Sequence, residues 1–249
     1  MSKEKIAENK PFTFKEFKIH QDRCAMKVGT DGVLLGAWAN ITSAQTILDI
    51  GTGTGVIAVM LAQRSRNREG IKIHAVEIDE AAAEQARDNF KEAPFSERLA
   101  VFPLSIQDFA RKSTTKYDLI VSNPPFFTGG TLNSNGDKTN VRHTVKLPHS
   151  DLLNATRNLL TKTGRFCVIL PLLEGLRFIE IATTYGLHNT QRMDVRFKKE
   201  KPIERLLLAF EQQYSPLQYE ELILQHSTMG DRDFTEGYRE LTKDFYTIF

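Results

Sequence analysis

The sequence predicts an α/β fold with a doubly wound, mostly parallel sheet of seven strands and one antiparallel hairpin at the sheet edge. Three observations lead to this class. Short apolar runs alternate with helical patterns along most of the chain. A glycine-rich turn follows one of these runs, and another run stops at two prolines, Pro124 and Pro125. In an open α/β sheet such strand ends lie together at the carboxyl edge, where ligands bind.

The composition is typical of one globular unit. The chain has 249 residues, of which 41% are hydrophobic, and can bury one sizeable core. We expect residues 1–40 to form an N-terminal extension that packs on a domain of residues 41–249. No run approaches the roughly 20 apolar residues of a membrane span, and the first residues lack the apolar segment of a signal peptide. We therefore expect a cytoplasmic protein with no membrane contact. We also expect it to be a monomer.

Cysteine and histidine usage argues against a metal site. Cys24 and Cys167 lie far apart without a C-x-x-C pair, and the six histidines are scattered. Neither a disulfide framework nor a zinc site is suggested, and we expect no bound metal. A formal net charge of +2 neither demands nor excludes nucleic acid, so such a partner would be met by a local basic patch.

The N-terminal segment predicts a hairpin and a capped helix. Residues 12–21 mix polar and apolar side chains and favour a short strand or hairpin outside the main sheet. Thr30 or Asp31 can cap a helix that runs through Trp38. Lys27, in the loop before that cap, is consistent with a lid over a ligand. An ordinary capped helix explains the same pattern equally well.

A strand, a glycine turn and a helix at residues 46–50, 51–55 and 56–64 form a nucleotide-binding pattern. Asp49 stands near the end of the strand. The spacing G-x-G-x-G differs from the dinucleotide fingerprint G-x-G-x-x-G. A turn without side chains lets an adenosine with a bulky tail approach the backbone, and no pyrophosphate needs to be cradled. The candidate ligand-binding residues here are Asp49, Gly51, Gly53 and Gly55.

The next two predicted strands, residues 71–76 and 99–104, also end in residues suited to a nucleoside. Glu77 follows the glycine turn at about the distance expected of a carboxylate that binds both ribose hydroxyls. After the second strand, a polar side chain and a backbone N–H can bind an adenine edge. The predicted contacts at these two strand ends are Glu77, Ile78, Ser105 and Ile106.

The fourth predicted strand, residues 117–122, ends in a stiff corner at Asn123, Pro124 and Pro125. Proline fixes φ and lacks an N–H, so the strand must end by Asn123. The corner offers the Asn123 side chain and backbone carbonyls as acceptors for an NH2 group, and Phe126 as a ring for stacking on a flat π system. The alternative is a strand that happens to end in two prolines, with nearby rings in the core.

Two basic segments are candidate contacts for phosphates. Residues 128–149 are too long for an ordinary connection and predict a substrate loop, or else a disordered insertion. Residues 187–198 and 203–211 predict an antiparallel hairpin whose charges either contact phosphates or form a solvated edge. The candidate residues are Lys138, Arg142 and Lys146 in the loop and Arg196, Lys198 and Lys199 in the hairpin.

Together these motifs resemble class I S-adenosylmethionine-dependent methyltransferases that act on amino groups. More specifically, several segments are similar to the bacterial tRNA1(Val) adenine-37 N6-methyltransferases, and the likeness spans nearly the whole chain. These segments are Phe12-Thr-Phe-Lys, residues 22–38, Leu48-Asp-Ile-Gly, Ser122-Asn-Pro-Pro-Phe and residues 234–246. One departure is Ser105, where many relatives carry an aspartate.

The resemblance implies a Rossmann-like fold, S-adenosylmethionine as cofactor and the anticodon loop of a tRNA as partner. The residues fit this chemistry. The lone pair of an exocyclic adenine nitrogen is delocalised into the ring, and two acceptors, the Asn123 side chain and the Pro124 carbonyl, can turn it toward the methyl group. Phe126 would stack on the base.

Three alternatives remain. A glutamine N5-methyltransferase acting on a protein would use the same corner, although the basic loop and the N-terminal motif argue against it. A guanine N2-methyltransferase acting on ribosomal RNA stays open. A non-enzymatic RNA-binding module is disfavoured by the complete set of cofactor residues, which includes Asp49, Gly51, Gly53 and Glu77.

Overall fold

The computed structural model describes residues 10–125, 147–226 and 233–249 and has the predicted α/β class. The strands are β1 (Phe12–Thr13), β2 (Lys18–Ile19), β3 (Thr46–Ile50), β4 (Lys72–Glu77), β5 (Leu99–Pro103), β6 (Tyr117–Ser122), β7 (Leu160–Pro171), β8 (His188–Lys198), β9 (Ile203–Glu211) and β10 (Gln218–Gln225). The α-helices are α1 (Thr30–Trp38), α2 (Val56–Arg64), α3 (Glu80–Glu92), α4 (Ile106–Lys112), α5 (His149–Leu159), α6 (Leu172–Thr184) and α7 (Glu236–Thr242).

The main sheet has eight strands in the order β10-β8-β9-β7-β6-β3-β4-β5. Strand β9 runs antiparallel to both of its neighbours, and the other pairs are parallel. The expected number of seven strands was therefore too low, because β10 adds an eighth beside the β8–β9 hairpin. The first four residues of β10 are exposed, so the strand lacks the alternating apolar pattern that would have predicted it.

Burial of the central strands determines where the polar residues at the strand ends lie. Ile47, Leu48 and Ile50 of β3 are almost fully buried, and so is the apolar run of β6. Helices cover both faces of such a parallel sheet. In the parallel register Ile50 pairs with both Val76 and Ser122. The residues that follow β3, β4 and β6 therefore meet at one edge of the sheet.

The N-terminal segment forms the predicted hairpin outside the main sheet, through antiparallel pairing of β1 with β2. Asn89 of α3 attaches this segment to the glycine turn. Its Nδ2 donates to the carbonyls of His20 and Thr54, each at 2.8 Å, and its Oδ1 accepts from the His20 N–H at 2.9 Å. Because Asn89 is buried, these bonds satisfy polar groups that water cannot reach.

The start of α1 differs from the prediction. Gly29 is the N-cap residue and makes no side-chain cap bond, so neither Thr30 nor Asp31 caps the helix. Asp31 lies in the first turn instead, and its Oδ2 accepts from Arg205 Nε of β9 at 2.8 Å. A carboxylate near a helix N-terminus is favourable for the helix dipole. The Asp31 carboxylate therefore forms an ion pair with a distant strand instead of capping the helix.

Two further findings concern the described ranges. None of their helices is long and apolar enough to cross a membrane, and no group of three or more histidine, cysteine, aspartate or glutamate residues there is arranged to hold a metal ion. Cys24 and Cys167 are free thiols in buried positions. Burial raises the pKa of each thiol to about 12, which keeps both groups protonated at neutral pH.

Candidate active site

The three glycines of the turn between β3 and α2 have different environments. All three adopt positive φ, at 71° for Gly51, 54° for Gly53 and 83° for Gly55. Apart from its chain neighbours, a Cβ atom added to Gly51 or Gly53 would meet none of the described residues within 4 Å, whereas one added to Gly55 would lie 2.5 Å from Cε1 of Phe90. The first two glycines therefore leave room for a ligand, and the third allows close packing against α3.

Asp49 lies below the turn. Its side chain is 0% exposed, and its Oδ2 accepts a hydrogen bond from Thr52 Oγ1 at 2.6 Å. Burial raises the pKa of the Asp49 carboxyl to about 7, although the bond from Thr52 lowers it. Asp49 is not among the residues that line the adjoining cavity. It therefore shapes the turn from beneath.

Glu77 joins the end of β4 to the glycine turn. Its Oε2 accepts from the Gly53 N–H at 2.9 Å, and its Oε1 accepts from the Asp79 N–H at 3.0 Å. Each oxygen has one backbone donor, so the carboxylate keeps lone pairs for a ligand. Ile78, the next residue, is 52% exposed. An exposed apolar side chain next to an oriented carboxylate suits a ligand with a polar and a flat apolar part.

Ser105 serves a role that the sequence analysis missed. It is the N-cap of α4: its Oγ accepts from the Asp108 N–H at 3.1 Å and donates to Asp108 Oδ2 at 2.8 Å. The hydroxyl is thus engaged within its own turn, which argues against the expected contact of this side chain with an adenine. Ile106 has a buried side chain. As the first residue of α4, it has an N–H without an intrahelical acceptor.

The corner after β6 is partly described. Ser122 is buried and donates to the Ile50 carbonyl at 2.9 Å, which ties the ends of β6 and β3 together. Asn123 lines the cavity, and its Oδ1 is buried without a hydrogen-bond partner in the described part of the chain. Pro124 is buried and Pro125 is half-buried. The predicted site residues Phe126, Lys138, Arg142 and Lys146 lie outside the described residues.

The glycine turn and Asn123 adjoin a cavity of about 570 Å³. The predicted contacts Glu77, Ile78, Ser105 and Ile106 are not among its lining residues. One wall is the glycine turn with Asn123. Lys27 and Thr30 also line the cavity, as the lid hypothesis requires, and Lys27 Nζ donates to the Gln21 carbonyl at 2.6 Å. The opposite wall comes from the ends of β8, β9 and β10, and no local sequence pattern predicted it. Its residues are Val195, Phe197, Glu204, Arg205 and Leu224.

The basic residues of the hairpin differ in their hydrogen bonds and ion pairs. Arg196 Nε contacts Glu221 Oε1 at 2.5 Å, and its Nη1 donates to the Lys201 carbonyl at 2.7 Å. Arg196 thus ties β8 to β10. Lys199 is exposed and Lys198 is half-buried. No ion pair involves either lysine within residues 10–125, 147–226 and 233–249.

Comparisons with known proteins agree with this geometry. A family model described as the methyltransferase small domain matches residues 28–176. A relative from Proteus mirabilis, named tRNA1(Val) (adenine(37)-N6)-methyltransferase, is 44% identical over 96% of this chain and 94% of its own length. A relative of the same name from Serratia proteamaculans is 44% identical over 96% and 90%. A solved structure from Agrobacterium tumefaciens, titled a predicted O-methyltransferase, has a TM-score of 0.67 at 17% identity and covers 86% of this chain and 96% of that one.

The two environments within the glycine turn lead to a prediction about stability. Gly55→Ala and Gly53→Ala both force alanine into a left-handed conformation, which costs about 1–2 kcal/mol. Only the new methyl group at position 55 collides with Phe90. We expect Gly55→Ala to lower the free energy of unfolding more than Gly53→Ala, as measured by urea denaturation. Equal losses in the two variants would contradict the packing role of Gly55.

The raised pKa of Asp49 leads to a second prediction. In the unfolded chain this carboxyl ionises at about pH 3.9, whereas in the folded protein its pKa is about 7. The raised pKa therefore contributes stability that is fully present below about pH 4 and is lost as the pH rises through 7. Asp49→Asn removes this contribution. Urea denaturation at pH 5, 6 and 7 should show wild-type stability falling relative to the variant; parallel curves would contradict the assignment.

Proposed function

We propose that this chain, which belongs to the family of tRNA1(Val) (adenine(37)-N6)-methyltransferases, transfers a methyl group from S-adenosylmethionine to N6 of adenine 37 in tRNA1(Val). The observation that carries the proposal is the Oδ1 of Asn123 in the cavity wall, which is buried and has no hydrogen-bond partner among the described residues. Leaving a buried acceptor without a partner costs about 1–3 kcal/mol. A site of this kind is therefore suited to a substrate that brings an N–H donor, and an exocyclic amine does so.

The described residues fit the cofactor that the family and fold imply. S-adenosylmethionine supplies an electrophilic methyl group on a positively charged sulfur. We assign the open space over Gly51 and Gly53 to its body, because no protein atom fills the positions where their Cβ atoms would be. In this proposal Glu77 accepts from the two ribose hydroxyls through the lone pairs that its two backbone donors leave free. The adenine contacts in this proposal are the exposed side chain of Ile78 and the N–H of Ile106.

The proposed mechanism depends on positioning. The Asn123 side chain and the Pro124 carbonyl each accept one N6 hydrogen, which turns the nitrogen lone pair out of the ring plane and toward the methyl group. Phe126, outside the described residues, is proposed to stack on the target base. Holding two reactants in line can supply roughly 7–11 kcal/mol. Orientation by two fixed acceptors therefore suffices for attack, in which the N–C bond would form as the C–S bond of the sulfonium breaks. The methylated nitrogen would then be positively charged and acidic, so it would release one N6 hydrogen to water without a strong general base.

The RNA contacts of this proposal come from the basic segments. The target lies in an anticodon loop, where bases are less stacked than in a duplex and are easier to flip out. Lys198 and Lys199 are candidates for phosphate contacts, together with Lys138, Arg142 and Lys146 outside the described residues. Arg196 is paired with Glu221, so a phosphate would have to replace that partner. A tRNA substrate also agrees with the expected cytoplasmic location.

The cofactor assignment predicts that Glu77→Ala weakens binding of S-adenosylmethionine. Hydrogen bonds to a charged group contribute roughly 1.5–3 kcal/mol, so we expect the Kd to rise by at least tenfold. Isothermal titration calorimetry measures it. Glu80→Ala is the control, because Glu80 is an exposed acid three residues further on, in the first turn of α3. An unchanged Kd in a folded Glu77→Ala protein would refute the ribose assignment.

The mechanism predicts that Asn123→Ala separates catalysis from cofactor binding. Losing one preorganised hydrogen bond at a reacting centre costs about 2.7–4 kcal/mol, or roughly a hundred- to thousandfold in rate. The Kd for S-adenosylmethionine should stay near the wild-type value, because we assign the cofactor to the ends of β3, β4 and β5. Single-turnover methylation of unmodified tRNA1(Val) gives the rate.

A transcript with guanine at position 37 is the control substrate for this experiment. We expect the wild-type protein to leave it unmethylated, since guanine has no amino group at C6. Wild-type rates in Asn123→Ala would contradict the amine-acceptor mechanism. Methylation of the guanine transcript at that position would contradict the proposed substrate and favour a guanine N2-methyltransferase.

A further inference from the structure

The cavity has a wall that the glycine turn and Asn123 do not explain. Val195 and Phe197 of β8 both line the cavity, and their spacing of two places them on one face of the strand. Arg205 of β9 is the register partner of Val195. Leu224 falls opposite Phe197 in the parallel pairing of β10 with β8. Together with Glu204, these four residues form one surface at the carboxyl edge of the sheet, which we call the β8–β10 wall.

Phe197 differs from the rest of the β8–β10 wall in the exposure of its ring. Phe197 is 43% exposed, whereas Val195, two residues earlier on the same face, is 2% exposed. Exposure thus rises along β8 toward the hairpin turn, which places Phe197 at the rim of the cavity. A ring in this position gains apolar burial when a flat ligand covers it.

Positive charge lies beside this ring. The turn of residues 198–202 directly follows Phe197 and carries three lysines against one glutamate. The neighbouring arginines are engaged in the framework, since Arg196 and Arg205 each hold an acidic partner, at 2.5 and 2.8 Å. The first pair joins β8 to β10, and the second joins β9 to Asp31 in α1. The lysine turn is therefore the cationic surface next to the exposed ring.

We propose that Phe197 stacks on the nucleobase next to the target adenine in the single-stranded loop of the RNA, while the lysine turn contacts adjoining phosphates. The proposal rests on the proposed function and extends it to a second nucleotide. Bases of single-stranded RNA stack on aromatic side chains, and their phosphates attract lysine. The target base must reach Asn123 inside the cavity, so a ring at the rim meets its neighbour.

The position of the β8–β10 wall in the chain supports a role in recognising the substrate. The match to the methyltransferase small domain ends at residue 176, and every residue of the wall follows that point. The wall therefore adds to the shared methyltransferase region a surface of its own. An aromatic side chain flanked by cations fits RNA better than an acidic or purely apolar partner, because the ring can stack on a base and the lysines can contact phosphates.

Four variants test the proposal. Phe197→Ala and Phe197→Leu remove the ring, and Phe197→Trp keeps an aromatic face. Tyr214→Ala removes a ring that is 77% exposed and does not line the cavity. Filter binding should show tRNA1(Val) affinity reduced about five- to 150-fold in the first two variants, the range for one lost stacking contact. The other two should bind like wild type, and calorimetry should give the same Kd for S-adenosylmethionine in all four.

A fluorescent base locates the stacked nucleotide. We expect 2-aminopurine at position 36 or 38 to be quenched when the wild-type protein binds, and to stay bright with Phe197→Ala. Four results would each overturn the proposal. They are wild-type RNA affinity in Phe197→Leu, quenching that does not depend on Phe197, quenching seen only when 2-aminopurine stands at position 37, and weaker binding of S-adenosylmethionine by Phe197→Ala. Binding is read without methylation. Failure of the wild-type protein to methylate adenine 37 would therefore count against the proposed function alone.

Discussion

The register of three central strands is the constraint on which the site depends. Parallel pairing sets Ile50 level with both Val76 and Ser122, so the glycine turn, Glu77 and Asn123 follow at the same edge. A shift of β6 by one residue would turn Asn123 to the other side of the sheet, because alternate residues on a strand face opposite ways. The apolar interior of the strands specifies that register. Core packing, more than any bond among the polar groups, therefore brings the chemistry together.

Within that frame, the glycine turn separates ligand binding from structural support. Gly51 and Gly53 leave open space, while Gly55 lets α2 begin close to Phe90. The polar groups around the turn hold its shape: Thr52 bonds to Asp49 underneath, and Glu77 accepts from the Gly53 N–H. Because Glu77 holds the backbone of the turn and is also the proposed ribose contact, it couples the backbone conformation to the ligand. Substitutions here are therefore expected to affect stability and affinity together.

Local sequence patterns predicted the strands and helices around the motifs. Features that depend on pairing between distant segments could not be predicted. Residues 46–50 and 56–64 form a strand and a helix with the predicted bounds, because a buried run and a glycine turn are strong local signals. Strand β10 was missed because its first four residues are exposed and it lacks an alternating apolar pattern. Its place in the sheet depends on pairing with β8. The N-cap role of Ser105 was not predicted, although Asp108 stands three residues later, a spacing typical of a capping pair. The ion pair of Asp31 with Arg205 spans 174 residues, and no local pattern indicates it.

The two walls of the cavity are made at different times. Val195 follows Asn123 by about 70 residues, so at roughly 5–20 residues per second it leaves the ribosome about 4–14 s later. Once β7 is complete at residue 171, it has β6 on one side, while its other neighbour, β9, begins only at residue 203. Unpaired strand edges attract other strands. We therefore expect the nascent chain to be most prone to aggregation, and most dependent on chaperones, between completion of the first wall and arrival of the second.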